Sequence, residues 1–149
     1  QHNWILFRYA EILLNYAEAM VNAYGDPDYT GSYSLSARDA VNQVRNRGDV
    51  KMPAYPADMS KDAFLKRLKN ERRVEFAFEG QRFWDLRRWK ELDDMQNIYK
   101  VKVVKQTDGT IQYTKALHAT YNIQDKMYFY PISNTELFKN HKLVQNTGW

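Results

Sequence analysis

The sequence contains no cysteine, which excludes disulfide cross-links, thiolate metal sites and cysteine nucleophiles. Histidine is scarce as well, and the wide spacing of His2, His118 and His141 argues against a histidine metal cluster. No apolar run approaches the roughly 20 residues that a membrane-spanning helix requires. There is also no low-complexity tract and no repeat of 20–50 residues, so repeat architectures are not indicated. These absences leave a compact globular chain without metal or thiol chemistry.

Aromatic side chains are the most abundant unusual feature. The 149 residues include 11 tyrosines, 7 phenylalanines and 4 tryptophans. The hydrophobic fraction is 44% and the charged fraction 27%, which are ordinary values for a folded domain and exclude intrinsic disorder. The formal net charge is only +4. Composition and length therefore predict one compact, mostly helical domain that is rich in tyrosine.

Four helices are predicted from the 3.6-residue period of the apolar residues and from capping signals. A Ser-x-x-Asp box opens the second helix, and Gly25 with Pro27 ends the first. The first helix carries a second apolar stripe, so we expect it to pack on more than one side; this stripe comprises Ile5, Ile12, Tyr16, Ala19 and Ala23. The expected limits of the four helices are Leu6–Tyr24, Ser36–Gly48, Ser60–Phe78 and Arg82–Leu92.

The last third of the chain changes to a period of two. Tyr99–Val104 and Ile111–Thr114 alternate in hydrophobicity around Asp108-Gly109, which predicts a β-hairpin. Tyr128–Pro131 is predicted as a short extended run, and Ser133 with Glu136 forms a capping box for a last short helix. The expected fold class is mainly α, with one small β-hairpin and long loops.

A dense run of charges from Glu71 to Trp89 contains five arginines, four carboxylates and five aromatic residues. Helical spacing from Phe64 and Leu68 places carboxylates where an apolar face should continue. A buried carboxylate costs several kcal/mol unless it is paired. We therefore predict a structural ion-pair network made by Glu71, Glu75, Glu79, Arg82 and Asp85 with Arg45 and Arg47 of the second helix.

Two functional interpretations of this run compete with the structural one. Catalytic carboxylates of a glycoside hydrolase flank a sugar ring, whereas carboxylates four residues apart on a helix lie side by side, and neighbouring arginines keep them ionised. Nucleic-acid binding would use Arg72, Arg73, Arg87 and Arg88 beside Phe83, Trp84 and Trp89, but five arginines against four carboxylates give a net charge of only +1 over residues 71–89. We predict no catalytic residue, no cofactor, no metal and no nucleic-acid partner.

Two further patterns lie in loops. Asp26, Asp28, Thr30 and Gly31 resemble the start of a calcium loop, but Ala37 stands where the bidentate glutamate is needed. An ordinary Asp-Pro turn is therefore the favoured interpretation. The loop tyrosines are candidate ligand contacts, because a flat ring with a terminal hydroxyl suits sugars and protein partners; they are Tyr29, Tyr33 and Tyr55. Packing of these rings onto their own domain is the favoured interpretation, because loop tyrosines often pack locally.

Four segments, taken in order, resemble the C-terminal part of the SusD/RagB family of outer-membrane nutrient-binding lipoproteins. The segments are Arg8–Ala19 (RYAEILLNYAEA), Ala40–Arg47 (AVNQVRNR), Glu71–Trp89 with its ERRxE, FEGxR and DLxRW motifs, and Tyr130–Trp149 with YPIxxxE and the closing LxQNxGW. Together they span nearly the whole chain, which makes the resemblance specific.

The resemblance implies a mostly helical binding protein without catalysis. It implies capture of oligosaccharides or other nutrients at the cell surface, for delivery to a TonB-dependent, SusC-like transporter. It also implies that residues 1–149 are the C-terminal domain of a longer chain, whose absent N-terminal part carries tetratricopeptide-like helices, a lipid anchor to the outer membrane and much of the ligand site. A helical docking module without its own ligand site is the alternative, and a glycoside hydrolase is a weaker one.

Overall fold

The computed structural model describes residues 6–48 and 50–149. Within them the chain forms five α-helices and one two-stranded antiparallel sheet. The elements are α1 (Tyr9–Tyr24), α2 (Ala37–Arg45), α3 (Lys61–Glu75), α4 (Gln81–Trp89), β1 (Asn97–Lys105), β2 (Ile111–Thr120) and α5 (Asn134–Lys139). Single 3-10 turns cover Leu92–Met95 and Asp125–Tyr128. The predicted class, mainly α with a small hairpin, is confirmed.

The chain divides between Arg82 and Phe83 into two compact units, where the length alone predicts one. In the first unit, α1 packs against both α2 and α3. Thirteen side chains form its buried core: Leu13, Leu14, Ala17, Met20, Val21, Ala37, Ala40, Val41, Val44, Tyr55, Phe64, Leu68 and Phe76. Burial of such apolar side chains contributes roughly 1.5–3 kcal/mol for each large one, and it is the main force that holds these three helices together.

The helix ends follow local chemistry. Gly25 has a φ of 79°, in the left-handed region, and its N–H donates to the Val21 carbonyl. The predicted capping box is confirmed: the Ser36 hydroxyl accepts from the Asp39 N–H, and the Asp39 carboxylate accepts from the Ser36 N–H. Ser60 caps α3 through the N–H of Ala63. Local hydrogen bonding therefore fixes where each of these helices begins or ends.

Four boundary predictions are wrong. α1 begins at Tyr9, not at Leu6, and α2 ends at Arg45 rather than near Gly48. α3 ends at Glu75, because Phe78 takes a left-handed φ of 67° and turns its ring fully into solvent. α4 ends at Trp89, after which Lys90 has a φ of 58°.

The second apolar stripe of α1 is covered only in part within the described residues. Ile12 is 56% exposed, and Ala19 and Ala23 are exposed too. Tyr16 is the member that packs against the core of the first unit. Packing of α1 on more than one side stays a prediction. Ile5, the first member of that stripe, lies outside the described residues.

The second unit is built around the hairpin. β1 and β2 pair in register from Asn97–Thr120 to Lys105–Ile111, with an irregularity between Ile98 and Tyr99. Asp108 orders the turn, because its carboxylate accepts from the N–H and the hydroxyl of Thr110 at 2.9 and 2.7 Å. The strands extend further than the alternating pattern predicts.

The C-terminal segment is held against the stretch that precedes α5. Gln145 and Ile132 exchange two hydrogen bonds, and Asn146 Nδ2 donates to the Tyr130 carbonyl at 2.6 Å. The Trp149 indole N–H donates to the carbonyls of Lys126 and Phe129 at 3.0 and 3.1 Å. We call these contacts the C-terminal clamp. Tyr128 lies in a 3-10 turn, so the predicted extended run begins only after it.

None of the helices in the described residues is both long and apolar enough to cross a membrane.

Candidate functional site

The tyrosine cluster comprises Tyr24, the last residue of α1, and Tyr29 and Tyr33 of the loop that follows. The rings of Tyr24 and Tyr29 stack with centroids 4.2 Å apart. The hydroxyls of Tyr24 and Tyr33 lie 3.2 Å apart in a hydrogen bond, which raises the pKa of Tyr24. The three side chains are 44%, 38% and 47% exposed, so the cluster offers aromatic and hydroxyl surface to solvent.

Neighbouring residues support this cluster. Tyr16 of α1 meets the Tyr33 ring edge-on at 6.5 Å and donates its hydroxyl proton to the Leu35 carbonyl at 2.6 Å. Gly31 has a φ of 52°, and a Cβ built there would fall 2.5 Å from the Tyr29 hydroxyl. Glycine therefore lets the loop pass directly beside the ring of Tyr29.

Arg38 ties this loop to the rest of the first unit. Its side chain is nearly buried and binds Asp28 through two parallel hydrogen bonds of 2.6 and 2.8 Å. It also donates to the main-chain carbonyls of Pro56 and Ala57, from the loop before α3. The hydrogen bonds from Arg38 lower the pKa of Asp28. In the loop that resembles a calcium site, the Asp28 carboxylate thus binds an arginine. The Asp26 carboxylate accepts a hydrogen bond from the Asp28 N–H at 2.9 Å.

Tyr55, the third candidate ligand contact, is only 5% exposed. Its ring meets Phe64 edge-on at 5.6 Å, and its hydroxyl donates to Glu71 at 3.3 Å. Burial raises the pKa of Tyr55, so the phenol stays protonated. A ligand contact does not suit this ring, because the core of the first unit already covers it.

A cavity of about 560 Å³ opens beside α2 in the same unit. Its lining combines four hydrogen-bonding side chains with three apolar ones: Leu35, Asp39, Asn42, Gln43, Asn46, Met52 and Ala54. The side-chain amides of Asn42, Gln43 and Asn46 can both donate and accept hydrogen bonds, which suits the hydroxyl groups of a sugar. Asn42 uses its oxygen to accept from the Tyr55 N–H at 2.9 Å.

The carboxylates of α3 lie against arginines. Glu71 pairs with Arg45, and Glu75 pairs with Arg47 at 2.5 Å. Glu75 is also bound by Arg8, at 2.8 Å, and its side chain is only 9% exposed. Burial raises the pKa of Glu75, but the hydrogen bonds from Arg47 and Arg8 outweigh that effect and leave it lowered.

Arg8 is a partner of Glu75 and Glu79 that the sequence pattern does not predict. It stands 67 positions before Glu75 and 71 before Glu79, and it binds the Glu79 carboxylate through two hydrogen bonds of 2.9 and 2.8 Å. The pairing of Glu79 with Arg82 stays a prediction. Asp85 is buried and accepts from Arg88 at 2.9 Å.

Two of the four arginines that a nucleic-acid interpretation would use contact neighbouring side chains of this chain. Arg72 is 3% exposed and donates to Asn15 of α1 at 2.6 Å. The guanidinium of Arg87 lies 3.6 Å above the Phe83 ring centroid. Within residues 6–48 and 50–149, no group of three or more acidic or histidine side chains is placed to hold a metal ion.

The sequence profile of the SusD family matches residues 1–149 of this chain. The chain belongs to the SusD family. Its likeness to two curated relatives from Formosa agariphila covers part of the chain: SusD-like protein P38 is 37% identical over 90 residues, and SusD-like protein P2 is 33% identical over 93 residues. These matches cover 56% and 59% of this SusD-family chain.

A crystal structure of a SusD-like protein from Bacteroides fragilis superposes with a TM-score of 0.80 and 33% sequence identity over 99% of the chain. The SusD-family chain spans 26% of that protein and only 16% and 17% of the two Formosa relatives. It therefore corresponds to a minor part of each of these relatives.

Proposed function

We propose that this SusD-family chain is part of a non-catalytic, cell-surface carbohydrate-binding protein. The single observation that carries the proposal is family membership over the whole chain. The protein would be lipid-anchored to the outer face of the outer membrane and would pass oligosaccharides to a SusC-like, TonB-dependent transporter. In this chain the exposed tyrosine cluster is the surface best suited to contact a sugar, because pyranose faces pack on aromatic rings while hydroxyls bond at the rim.

The geometry of the carboxylates favours binding over catalysis. A glycoside hydrolase needs one carboxyl group that holds a proton at working pH. Glu75 has a lowered pKa, and Glu71 and Glu79 are each bound by an arginine. Glu75 would therefore be a poor general acid, and the arginine contacts of Glu71 and Glu79 fit a role in the scaffold.

The test is a calorimetric binding panel on the full-length protein with neutral and charged oligosaccharides. Tyr29→Ala and Tyr33→Ala should each weaken binding about fivefold, which corresponds to roughly 1 kcal/mol for one lost aromatic contact. Tyr113→Ala is the matched control, because Tyr113 is a 66% exposed tyrosine on β2 outside the cluster. The absence of affinity for every saccharide in the panel would contradict the proposal.

The two alternatives give different results in companion assays. A docking module without a ligand site would co-purify with the transporter yet bind no sugar. A hydrolase would release new reducing ends from the same oligosaccharides, and Glu71→Gln, Glu75→Gln or Glu79→Gln would stop that release.

A further inference from the structure

A cavity of about 820 Å³ lies in the second unit, next to the end of α4. One wall comes from the last turns of α4 and the residue after it, and the other from the 3-10 turn at Asp125–Tyr128 and the residue that follows. The lining side chains are Trp84, Arg87, Arg88, Lys90, Asp125, Tyr128 and Phe129. We call it the cationic pocket. Its volume is within the range of about 300–1,000 Å³ that small-molecule sites occupy.

The lining is predominantly positive, with three cations and one carboxylate. Arg88 is matched by the buried Asp85, to which it donates at 2.9 Å. Arg87 is held differently: its guanidinium lies 3.6 Å above the Phe83 ring centroid and 5.3 Å from that of Tyr130. Aromatic rings attract and position a cation without neutralising its charge.

The Nε atom of Arg87 is buried and has no hydrogen-bond partner among the described residues. A buried donor without a partner costs free energy, and the cost is larger for a charged group. An anionic group bound beside this guanidinium would offset part of that cost, since charge-assisted hydrogen bonds are the strong ones.

Lys90 adds a second exposed cation at the rim. It follows the last residue of α4 with a φ of 58°, a conformation that glycine adopts with far less strain. The chain thus keeps a long cationic side chain at a position where backbone geometry alone favours glycine.

The rings of the pocket complete the ligand chemistry. Trp84 is 56% exposed and Phe129 68% exposed, so both present apolar surface to a bound molecule. The Tyr128 hydroxyl accepts from the Leu92 N–H at 3.2 Å, which fixes that ring in the wall. Asp125 supplies the lone carboxylate of the lining, an acceptor suited to hydroxyl groups.

We propose that the cationic pocket binds an acidic saccharide, with its carboxylate or sulfate group at Arg87 and Lys90 and its ring on Trp84 or Phe129. The proposal rests on the carbohydrate-binding function proposed above and names a ligand class and a second binding place for it. It assigns no reaction to the pocket.

The experiment compares charged and neutral forms of the same sugars on the full-length protein. Calorimetry would use an oligogalacturonate against its methyl ester, and a sulfated galactan oligosaccharide against its desulfated form. The first pair tests a carboxylate and the second a sulfate. We expect at least one charged form to bind about tenfold more tightly than its neutral partner, with an affinity that falls as salt is raised.

Lys90→Gln should remove most of that advantage and leave the affinity for the neutral form unchanged. Lys102→Gln is the matched control, because Lys102 is an exposed lysine on β1 outside the pocket. Arg87→Gln should also reduce the preference for the charged form. Because Arg87 packs on Phe83, its replacement could disturb the fold, so Lys90→Gln and Trp84→Ala are the decisive variants.

Equal affinity for the charged and neutral forms of both pairs would overturn the inference, as would a Lys90→Gln protein that binds like Lys102→Gln. Equally tight binding of a single-stranded oligonucleotide would overturn it too, since the pocket would then respond to any polyanion. If neutral saccharides bind and charged ones bind no better, only this inference fails. If no saccharide binds at all, the proposed function fails as well.

Discussion

Gln145 and Ile132 exchange a pair of hydrogen bonds across 13 positions of sequence: the Ile132 N–H donates to Gln145 Oε1 at 2.7 Å, and Gln145 Nε2 donates to the Ile132 carbonyl at 2.9 Å. The side-chain amide thereby replaces the partner that a neighbouring strand would supply. This contact gives the glutamine of the LxQNxGW motif a structural role. It holds the C-terminal segment beside the residues that precede α5.

Replacement of Gln145 tests the clamp. Gln145→Ala leaves both polar groups of Ile132 without this partner, and we expect a local loss of about 1–3 kcal/mol. Hydrogen–deuterium exchange of the full-length protein should show faster exchange in peptides that cover residues 130–134. Gln112→Ala, in the exposed strand β2, is the control and should leave those peptides unchanged. Unaltered exchange in Gln145→Ala would show that the amide contributes nothing.

Gly148 should be intolerant of any side chain. It has a φ of 88°, and a Cβ there would lie 3.0 Å from Lys126 Cβ. Gly109 has nearly the same φ, 87°, but open space around it. Both alanine variants carry the left-handed strain of about 1–2 kcal/mol, so the extra loss in Gly148→Ala measures the contact with Lys126. Limited proteolysis should release the C-terminal segment sooner in Gly148→Ala than in Gly109→Ala; equal rates would contradict the steric explanation.

Removal of the shared carboxylate should loosen α1 from α3. Glu75→Ala deletes the group that both Arg8 and Arg47 bind, and we expect a loss of about 2–3 kcal/mol because two charge-assisted contacts disappear together. The two arginines stay partly exposed and hydrated, which limits the loss. Faster hydrogen–deuterium exchange in peptides that cover residues 9–24 and 61–75 would report this loss of stability. Asp58→Asn, at an exposed loop position, should change those peptides very little; a comparable change there would point to a non-specific charge effect.

The same carboxylate predicts a pH dependence with a definite sign. Because the folded pKa of Glu75 is lowered, its stabilising contribution is present above the unfolded-state pKa of about 4.3 and is lost as the pH falls through the folded value. The difference in thermal midpoint between the native protein and Glu75→Gln should be full at pH 6–7 and shrink below about pH 4. A difference that stays constant with pH would show that ionisation of Glu75 does not matter.

Local signals in the sequence were sufficient for most elements. The caps at Ser36 and Ser60, the stop at Gly25 and the hairpin turn at Asp108 each depend on contacts within four residues, so spacing alone predicts them. The end of α3 was missed because Phe78 adopts a left-handed conformation that its residue type does not favour.

Long-range partners were predictable only in part. The charge pattern predicts that Glu71 and Glu75 need arginine partners, which are Arg45 at the end of α2 and Arg47 just after it. Arg8 could not be identified, because no spacing rule connects residues about 70 positions apart. The sequence pattern leaves both packing and ligand contact open for Tyr55 for the same reason: its neighbours in sequence are loop residues, whereas its neighbours in space are Phe64 and Glu71.

The contact between Arg8 and Glu75 has a consequence for a chain that lacks cysteine. It closes a loop between positions 67 residues apart, a span over which a covalent disulfide would be worth roughly 4 kcal/mol in chain entropy. Here the salt bridge between Arg8 and Glu75 closes the loop. Reductants therefore leave it intact, and no oxidising folding machinery is needed to form it.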